Sequence, residues 1–286
     1  MRKSKNIILN KKPESKLTPN CFSIVEDNVN LPRAGELLVK VNLLSIDAAN
    51  RAWIQGETYR PAVSVGEIMP SYGVGEVIFS NSDKFDKGDL VTGELNWAEY
   101  TTKSEKFFTK VNGTSDLISL LTYAGIAGLT AFHGLIDISK IKKTDSILVS
   151  TAAGSVGMFA CQIAKHIGCT VLGLSGSSEK CDWAERVLGV DKCFNYKDPT
   201  LIENLNEFCP DGFDVYFDNV GGSLLEKVLY LMKMKGRVTC CGAISQYDVK
   251  SITPPRNIPG IIITKRLKVE GFIVTDFYDQ KNKAIE

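Results

Sequence analysis

Metal-binding residues are scarce in this chain of 286 residues, which has only two histidines, His133 and His166. It has eight cysteines, but none of them form a Cys-x-x-Cys pair or cluster with a histidine. Zinc centres are built from Cys and His at short, regular spacings. A lone histidine on a predicted helix usually has a structural role. The sequence therefore predicts no metal site.

Excess charge and long apolar runs are also lacking. The 34 basic and 33 acidic residues leave a formal net charge of +1, which gives no field that would attract nucleic acid or an acidic membrane. No apolar run reaches the length of a membrane span, and the basic start of the chain is not followed by the apolar segment of a signal peptide. Since the cysteines lie in predicted helices and strands, we expect reduced thiols and a cytoplasmic location. With neither nucleic acid nor a membrane indicated as partner, we expect a small-molecule substrate.

The first part of the chain is rich in short predicted strands. Residues Glu36 to Leu44, Gly73 to Phe79 and Leu90 to Thr92 have strand-like apolar patterns. The run Asp86 to Asp89 has the composition of a tight turn. Short strands separated by Gly and Asp turns predict a small, barrel-like β domain, which we place at residues 1–120.

The pattern changes near residue 120. Leu117 to Leu135 has helical apolar spacing, and from Ser146 onward short apolar strands alternate with helices. Such alternation predicts an α/β fold with a doubly wound, parallel, Rossmann-type sheet, which we place at residues 121–286. The predicted strands are Ser146 to Ser150, Thr170 to Leu174, Asp214 to Asp218, Arg237 to Cys241 and, as a fifth candidate, Leu267 to Phe272.

A small-residue turn between the first of these strands and the predicted helix Val156 to Ile167 carries the strongest functional signal. It contains Gly154 and Gly157 in the pattern Ala-x-Gly-x-x-Gly. Gly154 would let the backbone approach a pyrophosphate, and Gly157 would let the helix pack tightly on the strand. The N–H groups of Ser155 and Val156 would face the phosphates. The alternative is a tight turn with a purely structural role.

The next strand indicates which dinucleotide is bound. Enzymes that use NAD place an acidic residue at its end to hold the ribose hydroxyls, whereas here serines follow and then Lys180. A basic side chain suits the 2′-phosphate of NADP(H). Glu179 leaves NAD(H) open, because it could turn inward or pair with Lys180.

Two later strand ends should lie at the same edge of the sheet, where ligands of parallel sheets bind. One runs from Asp218 to Gly222 and the other from Cys241 to Tyr247. Their glycines could serve only as turns, but their joint position favours cofactor contact.

Taken in order, a set of motifs along the chain resembles the zinc-independent branch of the medium-chain dehydrogenase/reductase superfamily, which holds 2-alkenal, prostaglandin and curcumin reductases. The motifs are Ser45-Ile46-Asp47 with Arg51, Tyr72 to Val77, Trp97 to Tyr100, Gly128 to Phe132, Ala152 to Gly157, Gly176 to Lys180, Phe194 to Lys197, Tyr216 to Gly222, Cys241 to Tyr247 and Gly271 to Val274.

The resemblance implies an N-terminal GroES-like barrel, NADP(H) as cofactor and specific residues around it. Gly154, Ser155, Val156 and Gly157 match the pyrophosphate turn, and Lys180 and Tyr196 match the 2′-phosphate ligands. The nicotinamide side is matched by Asn219, Cys241, Gly242, Ala243, Ile244, Ser245, Gln246, Tyr247, Phe272, Ile273 and Val274. The family habit also implies a homodimer through the edges of the Rossmann sheets.

Two departures from the family pattern stand out. Many members have Pro-Tyr-Met-Arg after Ser-x-Asp, and the tyrosine lines the substrate pocket; this chain has Ala48-Ala49-Asn50-Arg51. Family members also continue beyond the position of Glu286, so we expect the segment that closes the fold at its C-terminus to be missing.

For this branch the expected reaction is NADPH-dependent reduction of a C=C bond conjugated to a carbonyl group. Hydrogen-bond donors would stabilise the enolate that forms, and Tyr247 is the candidate catalytic residue, as proton donor. Tyr247 could equally be an aromatic wall of the pocket. The alternatives are an NADPH-dependent quinone oxidoreductase and a non-catalytic NADP(H)-binding protein.

Overall fold

The computed structural model describes residues 2–112, 116–247 and 256–285. The chain divides into two units, Met1–Thr122 and Tyr123–Glu286. This division falls two residues beyond the boundary expected from the sequence. No helix in the described ranges is long and apolar enough to cross a membrane.

Antiparallel strands dominate the N-terminal unit. Its elements are β1 (Lys3–Leu9), β2 (Phe22–Asn28), β3 (Glu36–Leu44), α1 (Ala48–Gln55), β4 (Pro70–Ser80), β5 (Leu90–Asn96), β6 (Tyr100–Ser104), β7 (Phe108–Lys110) and α2 (Leu117–Leu121). Strands β1 and β2 pair with each other, and the other five form a sheet in the order β6-β3-β4-β5-β7. Along the described strands the hydrogen-bonded ladder ends at β6 and β7, so a closed, GroES-like barrel stays a prediction.

Inward-facing residues of this sheet form the core of the N-terminal unit. Leu37, Val39, Val77 and Leu95 are fully buried and pack with Val91. Their spacing by two along β3 follows from the alternation of side chains across a strand. A second cluster lies around α1, where Trp53 and Ile54 pack against Leu9 and Met69.

The C-terminal unit alternates strands and helices. Its elements are α3 (Ile126–His133), β8 (Ser146–Ser150), α4 (Ser155–Ile167), β9 (Thr170–Ser175), α5 (Ser178–Trp183), β10 (Lys192–Asn195), α6 (Leu201–Phe208), β11 (Phe213–Asp218), α7 (Gly222–Leu229), β12 (Met232–Cys240), α8 (Ile258–Lys265), β13 (Lys268–Gly271) and α9 (Lys281–Ile285). The six strands form one parallel sheet in the order β10-β9-β8-β11-β12-β13. This order reverses direction next to β8, as in a doubly wound Rossmann sheet.

Both faces of this sheet are covered. Ile147 and Val149 face a cluster shared with α4, whereas Leu148 and Tyr216 face the cluster on the opposite side. All five residues of β8 are buried. Burial on both faces explains why the strand reads as a continuous apolar run, and it confirms the predicted α/β fold with a parallel sheet.

Two predicted elements differ from the structure. Leu117 to Leu135 is not one helix, because α2 ends before Thr122, whose φ of −102° and ψ of −98° leave the helical region, and α3 starts after Gly125. Strand β10 was not predicted, since among its four residues only Cys193 is buried and no apolar run marks it. The sheet therefore has six strands where the sequence indicated five.

Candidate functional site

The carboxyl ends of the parallel strands form one edge of the C-terminal sheet. In register, Asp218 at the end of β11 pairs with Cys240 of β12, and Cys240 pairs with Gly271 of β13. On the other side of β11, Ser150 of β8 pairs with Leu174 of β9. The loops that follow these strands therefore lie side by side, as the sequence predicted.

The turn after β8 is built for close packing. Thr151 adopts a left-handed conformation with φ of 51°, and its carbonyl oxygen accepts a 2.7 Å hydrogen bond from Gly154 N. A Cβ on Gly157 would lie 2.1 Å from this same carbonyl oxygen. Gly157 is thus required for the helix to leave the strand at this angle, as expected from the sequence.

Helix α4 starts immediately after this turn, with Gly154 as its N-cap residue and Ser155 exposed. The first N–H groups of a helix have no acceptor within it, and its dipole places partial positive charge there. Ser155, Val156 and Gly157 supply these N–H groups at the edge of the sheet. The arrangement can hold an anionic group such as a pyrophosphate.

The end of β9 presents small polar residues and a lysine. Ser175 Oγ accepts a 3.4 Å hydrogen bond from Ala153 N, which joins this strand end to the turn after β8. Ser177 caps α5 by accepting from Lys180 N at 3.4 Å. The side chains of Glu179 and Lys180 are exposed, and no ion pair joins either to another described residue. Lys180 therefore offers a free cationic group at this strand end.

Tyr196 directly follows the unpredicted strand β10 and lies next to the same loop. Its backbone N–H donates to Ser175 O at 3.0 Å, and its hydroxyl lies 3.2 Å from the place of a Cβ on Gly176. The ammonium group of Lys197 lies 5.8 Å from the centre of the Tyr196 ring. The structure thus brings Tyr196 to the loop that leads into α5 and Lys180.

The loops after β11 and β12 pack directly on each other. Ile244 N donates to Asn219 O at 3.3 Å, and Ser245 N donates to Val220 O at 3.2 Å. A Cβ on Gly242 would lie 3.1 Å from Asn219 O. Asn219 and the run from Cys241 to Tyr247, which includes Ala243 and Gln246, therefore form one surface.

The last three predicted residues follow β13. The ring of Phe272 packs over Gly134, where a Cβ would meet it at 2.9 Å. Val274 is buried, with 8% of its surface exposed, and Ile273 O accepts from Asp276 N at 3.1 Å. The ring of Phe272 thus packs on one side and stays partly exposed, whereas the side chain of Val274 is enclosed.

A residue that the sequence reasoning did not select, Asp218, lies at the centre of this edge. Its side chain is 1% exposed, and burial raises the pKa of its carboxyl group, while hydrogen bonds from Gly221 N and Val220 N oppose that rise. An acidic residue at the end of an apolar strand was the available signal. The sequence indicates the strand end that Asp218 occupies, but not the direction or the burial of its side chain.

Ligands for a metal ion do not converge in the described residues, where no group of three His, Cys, Asp or Glu side chains is placed to hold one. His133 is 1% exposed and hydrogen bonds through Nδ1 to Asp137 at 2.7 Å. Glu67 accepts from Ser64 N at 2.8 Å. Zinc therefore does not fit the side chains that are present.

The motif Ser45-Ile46-Asp47 in the N-terminal unit has a local structural role. Ser45 Oγ donates to Asp47 at 2.7 Å, and Asn50 accepts from Asp47 N at 2.7 Å. Asn50 also donates to Pro70 O at 2.9 Å. Asn50, in the segment that departs from the family pattern, thus holds the start of α1 against β4.

Two family models match the chain. Residues 155–286 match a family described as zinc-binding dehydrogenase, and residues 5–111 match one described as the N-terminal domain of oxidoreductases.

Individual relatives cover most of the chain. It is 38% identical over 260 residues to the NADP(+)-dependent 2-alkenal reductase of Nicotiana tabacum, covering 88% of this chain and 75% of the relative. It is 33% identical over 286 residues to the NADPH-dependent curcumin reductase of Escherichia coli, covering 98% of this chain and 83% of the relative.

A solved structure is also similar, that of CurA from Vibrio vulnificus in complex with NADPH. Its TM-score is 0.92 at 32% identity, covering 98% of this chain and 85% of CurA. Sequence and structural similarity thus agree along almost the whole chain. The chain belongs to the zinc-independent branch of the medium-chain dehydrogenase/reductase superfamily.

Proposed function

We propose that the protein reduces the C=C bond of α,β-unsaturated aldehydes or ketones with NADPH, without a metal ion. The observation that carries this is the turn from Gly154 to Gly157, which places a helix N-terminus at the carboxyl edge of a parallel sheet. Relatives at 38% and 33% identity are NADP-dependent reductases of alkenals and of curcumin.

The residues at the edge of the sheet fit a dinucleotide. The backbone of Gly154 to Gly157 would hold the pyrophosphate, because the N–H groups of Ser155 to Gly157 have no acceptor within the helix and neither glycine has a side chain. NADP(H) supplies a hydride ion when bound. In this proposal the nicotinamide end of the extended dinucleotide lies at the loops after β11 and β12, which follow strands of the same parallel sheet.

Lys180 and Tyr196 support NADP(H) over NAD(H). They approach one loop from two neighbouring elements, one with a free ammonium group and the other with a hydroxyl. Both donate hydrogen bonds to phosphate oxygens. Glu179, the residue that left NAD(H) open, is exposed on the first turn of α5.

Tyr247 is the candidate catalytic residue. Reduction of a conjugated C=C bond leaves negative charge on the carbonyl oxygen of the substrate and requires a proton at its α-carbon. Tyr247 lies at the end of a single turn, Ile244–Gln246, and its backbone donates to Ile244 O at 3.3 Å. Its hydroxyl is the proton donor in our proposal, and a hydrogen-bond donor at the same edge would stabilise the enolate.

Quinone reduction is the second candidate. Ala49 replaces the aromatic residue that lines the pocket in many family members, and in this chain it packs against the cluster around α1. A pocket without that ring favours a flat, bulky acceptor. A non-catalytic NADP(H)-binding role is the third candidate, and binding without turnover would mark it.

A homodimer through the sheet edge belongs to the same proposal. Strand β13 is at the edge of the C-terminal sheet, and Val269 on it is 39% exposed. An unpaired edge strand can pair with a second copy of itself. In this proposal residues 1–120 form the GroES-like substrate domain and residues 121–286 the cofactor domain.

The test is the oxidation of NADPH, followed by its absorbance, with a medium-length 2-alkenal and separately with a quinone. We expect turnover of the alkenal and little activity when NADH replaces NADPH. Turnover of the quinone alone would establish the second candidate. NADPH binding without turnover of either would remove the enzymatic proposal and leave the binding protein.

A further inference from the structure

The carboxylate of Asp218 gathers four donors around one oxygen. Oδ1 accepts from Val220 N at 2.9 Å, from Gly221 N at 3.0 Å, from the hydroxyl of Tyr216 at 2.8 Å and from Ser150 Oγ at 3.4 Å. Gly221 N also lies 3.1 Å from Oδ2. The carboxylate therefore fixes the loop that follows its own strand.

The main chain of Asp218 fixes the neighbouring loop as well. Its carbonyl oxygen accepts from Cys241 N at 2.8 Å and from Gly242 N at 3.1 Å. The two loops are then joined further along, where Ser245 Oγ donates to Val220 O at 2.6 Å. One residue thus connects the loops that follow β11 and β12.

Asn219, the next residue, is held by Ser150 through both its backbone and its side chain. Its N–H donates to Ser150 Oγ at 2.8 Å, and its side-chain amide donates to Ser150 O at 2.8 Å. Ser150 also bonds Asp218, so all three residues belong to one network. A shift of the Asp218 carboxylate would be transmitted to Asn219.

A buried carboxylate at this position is costly, because burial favours its protonated form. Stability alone is better served by an apolar residue, as at Val215 and Phe217 of the same strand, which are fully buried. Polar networks of this kind are retained where a unique geometry is needed. The geometry fixed here is that of the two loops at the candidate cofactor edge.

We propose that Asp218 is a positioning residue, which ties the loops after β11 and β12 together so that Asn219 and Cys241 to Tyr247 are held in place for the nicotinamide end of the cofactor. This inference rests on the proposed cofactor site. It assigns Asp218 no contact with substrate or cofactor, since its side chain is enclosed by the donors named above.

Two substitutions separate the hydrogen bonds from the charge. Asp218→Ala removes both carboxylate oxygens and leaves the main-chain carbonyl in place. Asp218→Asn keeps an oxygen that can take the place of Oδ1 while removing the charge. The matched control is Asp214→Ala in the same strand. The Asp214 carboxylate bonds Ser146 and Lys233 at 2.8–2.9 Å, and Asp214 lies four residue steps before Asp218 along the strand, which is roughly 13 Å.

The first readout is amide hydrogen exchange of the cofactor-free protein. We expect Asp218→Ala to accelerate exchange at Val220 and Gly221 at least about tenfold, with faster exchange also in residues 241–247. Asp218→Asn should show a smaller effect, and Asp214→Ala should leave both loops as in the wild type. Unchanged exchange in Asp218→Ala would overturn the proposal, whether or not the protein binds NADPH.

The second readout separates positioning from general damage to the fold. Adenosine 2′,5′-bisphosphate probes only the Gly154–Gly157 and Lys180 side of the site. We expect its Kd in Asp218→Ala to stay within about twofold of the wild type, while kcat with NADPH falls at least about tenfold. Equal losses in both would show a merely structural role and overturn the proposal. Failure of the wild type to use NADPH would instead contradict the proposed function, with the exchange measurement still deciding the role of Asp218.

Discussion

Gly157 lies directly against the carbonyl oxygen of Thr151, with only 2.1 Å between that oxygen and the place of a Cβ on the glycine. The carbonyl is fixed in turn, because it accepts a hydrogen bond from Gly154 N and because Thr151 itself has a left-handed backbone. The second glycine of the motif is therefore required by packing, whereas the ligand role of the first belongs to the proposed function.

We expect Gly157→Ala to lower the free energy of unfolding by about 1–3 kcal/mol, because the added methyl group overpacks a backbone contact that cannot move away. The affinity for NADPH should fall at the same time, since α4 must shift away from the turn that would hold the pyrophosphate. Denaturant unfolding and NADPH titration measure the two effects.

Gly56→Ala is the matched control. Gly56 has an extended backbone with φ of −170°, and no atom lies within 4 Å of the place of its Cβ. Its free energy of unfolding should stay within about 0.5 kcal/mol of the wild type. Equal stability of Gly157→Ala and Gly56→Ala would show that the helix does not pack as tightly as described.

Lys180→Ala should reduce the preference for NADPH over NADH. A hydrogen bond to a charged group contributes about 1.5–3 kcal/mol, so the Kd for NADPH should rise roughly 10–100-fold while that for NADH changes little. The salt dependence of NADPH binding should also weaken. Parallel titrations with the two cofactors measure this.

The control for Lys180 is Lys227→Ala. Lys227 is exposed in the last turn of α7, at the helix end opposite to the cofactor edge. Its removal deletes the same charge from the same unit. If both variants lose NADPH affinity equally, the effect is one of overall charge, and Lys180 has no specific role.

Tyr247→Phe tests the candidate proton donor. Loss of a general acid typically lowers the rate by about 10²–10⁴-fold, whereas loss of a hydroxyl from an aromatic wall changes it little. We expect kcat for the alkenal to fall and the Kd for NADPH to stay near that of the wild type. A kcat equal to that of the wild type would assign Tyr247 to the wall of the pocket.

The parallel sheet could be predicted because its strands are buried on both faces and therefore appear as apolar runs. The same argument explains what could not be predicted. Strand β10 has one buried residue among four, and β12 starts at Met232, five residues before the predicted Arg237, in a segment with polar residues and a left-handed Lys235. Edge and bulged segments lack the burial on which the pattern depends.

The candidate site was predictable where its chemistry lies in the backbone and harder to predict where it depends on side-chain direction. Gly154 and Gly157 could be found from spacing alone, since a turn between strand and helix constrains both positions. The burial of Asp218 could not, because an acidic residue at a strand end is equally suited to solvent. The ring of Phe272 packs on Gly134, a contact that the sequence did not indicate, and its place at the cofactor stays a prediction.

The N-terminal unit should lose stability in acid through Glu94. Burial raises the pKa of Glu94, but the hydrogen bond and charge of Lys103, together with the charge of Arg60, bring it below its usual 4.5. The pair therefore stabilises the fold above the unfolded pKa, and this contribution is lost as the pH falls through the lower folded pKa.

Lys103→Met should therefore be less stable than the wild type at neutral pH, by less than about 1 kcal/mol since both groups are partly exposed. The difference should disappear as the pH falls through the lowered folded pKa of Glu94. Thermal unfolding across this range measures it, with the exposed Lys87→Met as control. A difference that persists in acid would assign the effect to packing of the lysine stem.

The final prediction concerns the two thiols at the cofactor edge. Burial, and to a lesser extent the charge of Asp218, raises the pKa of the Cys240 thiol to about 11. Burial also raises the pKa of the Cys241 thiol, to about 12, with smaller contributions from the charges of Asp218 and Cys240. The thiolate is the form that attacks electrophiles. α,β-Unsaturated carbonyls, the proposed substrates, alkylate thiolates, so a protonated Cys241 would survive turnover.

We expect iodoacetamide at neutral pH to label Cys241 at least about 100-fold more slowly than an exposed thiol, because its thiolate fraction is correspondingly small. The variant Lys227→Cys provides that exposed thiol on the same chain, and peptide mass spectrometry reads both rates. Unfolding in guanidinium should make all eight native cysteines react. Labelling of Cys241 at the rate of the introduced thiol would show that it is ionised in the folded protein, and that the cofactor edge leaves it open to its own substrates.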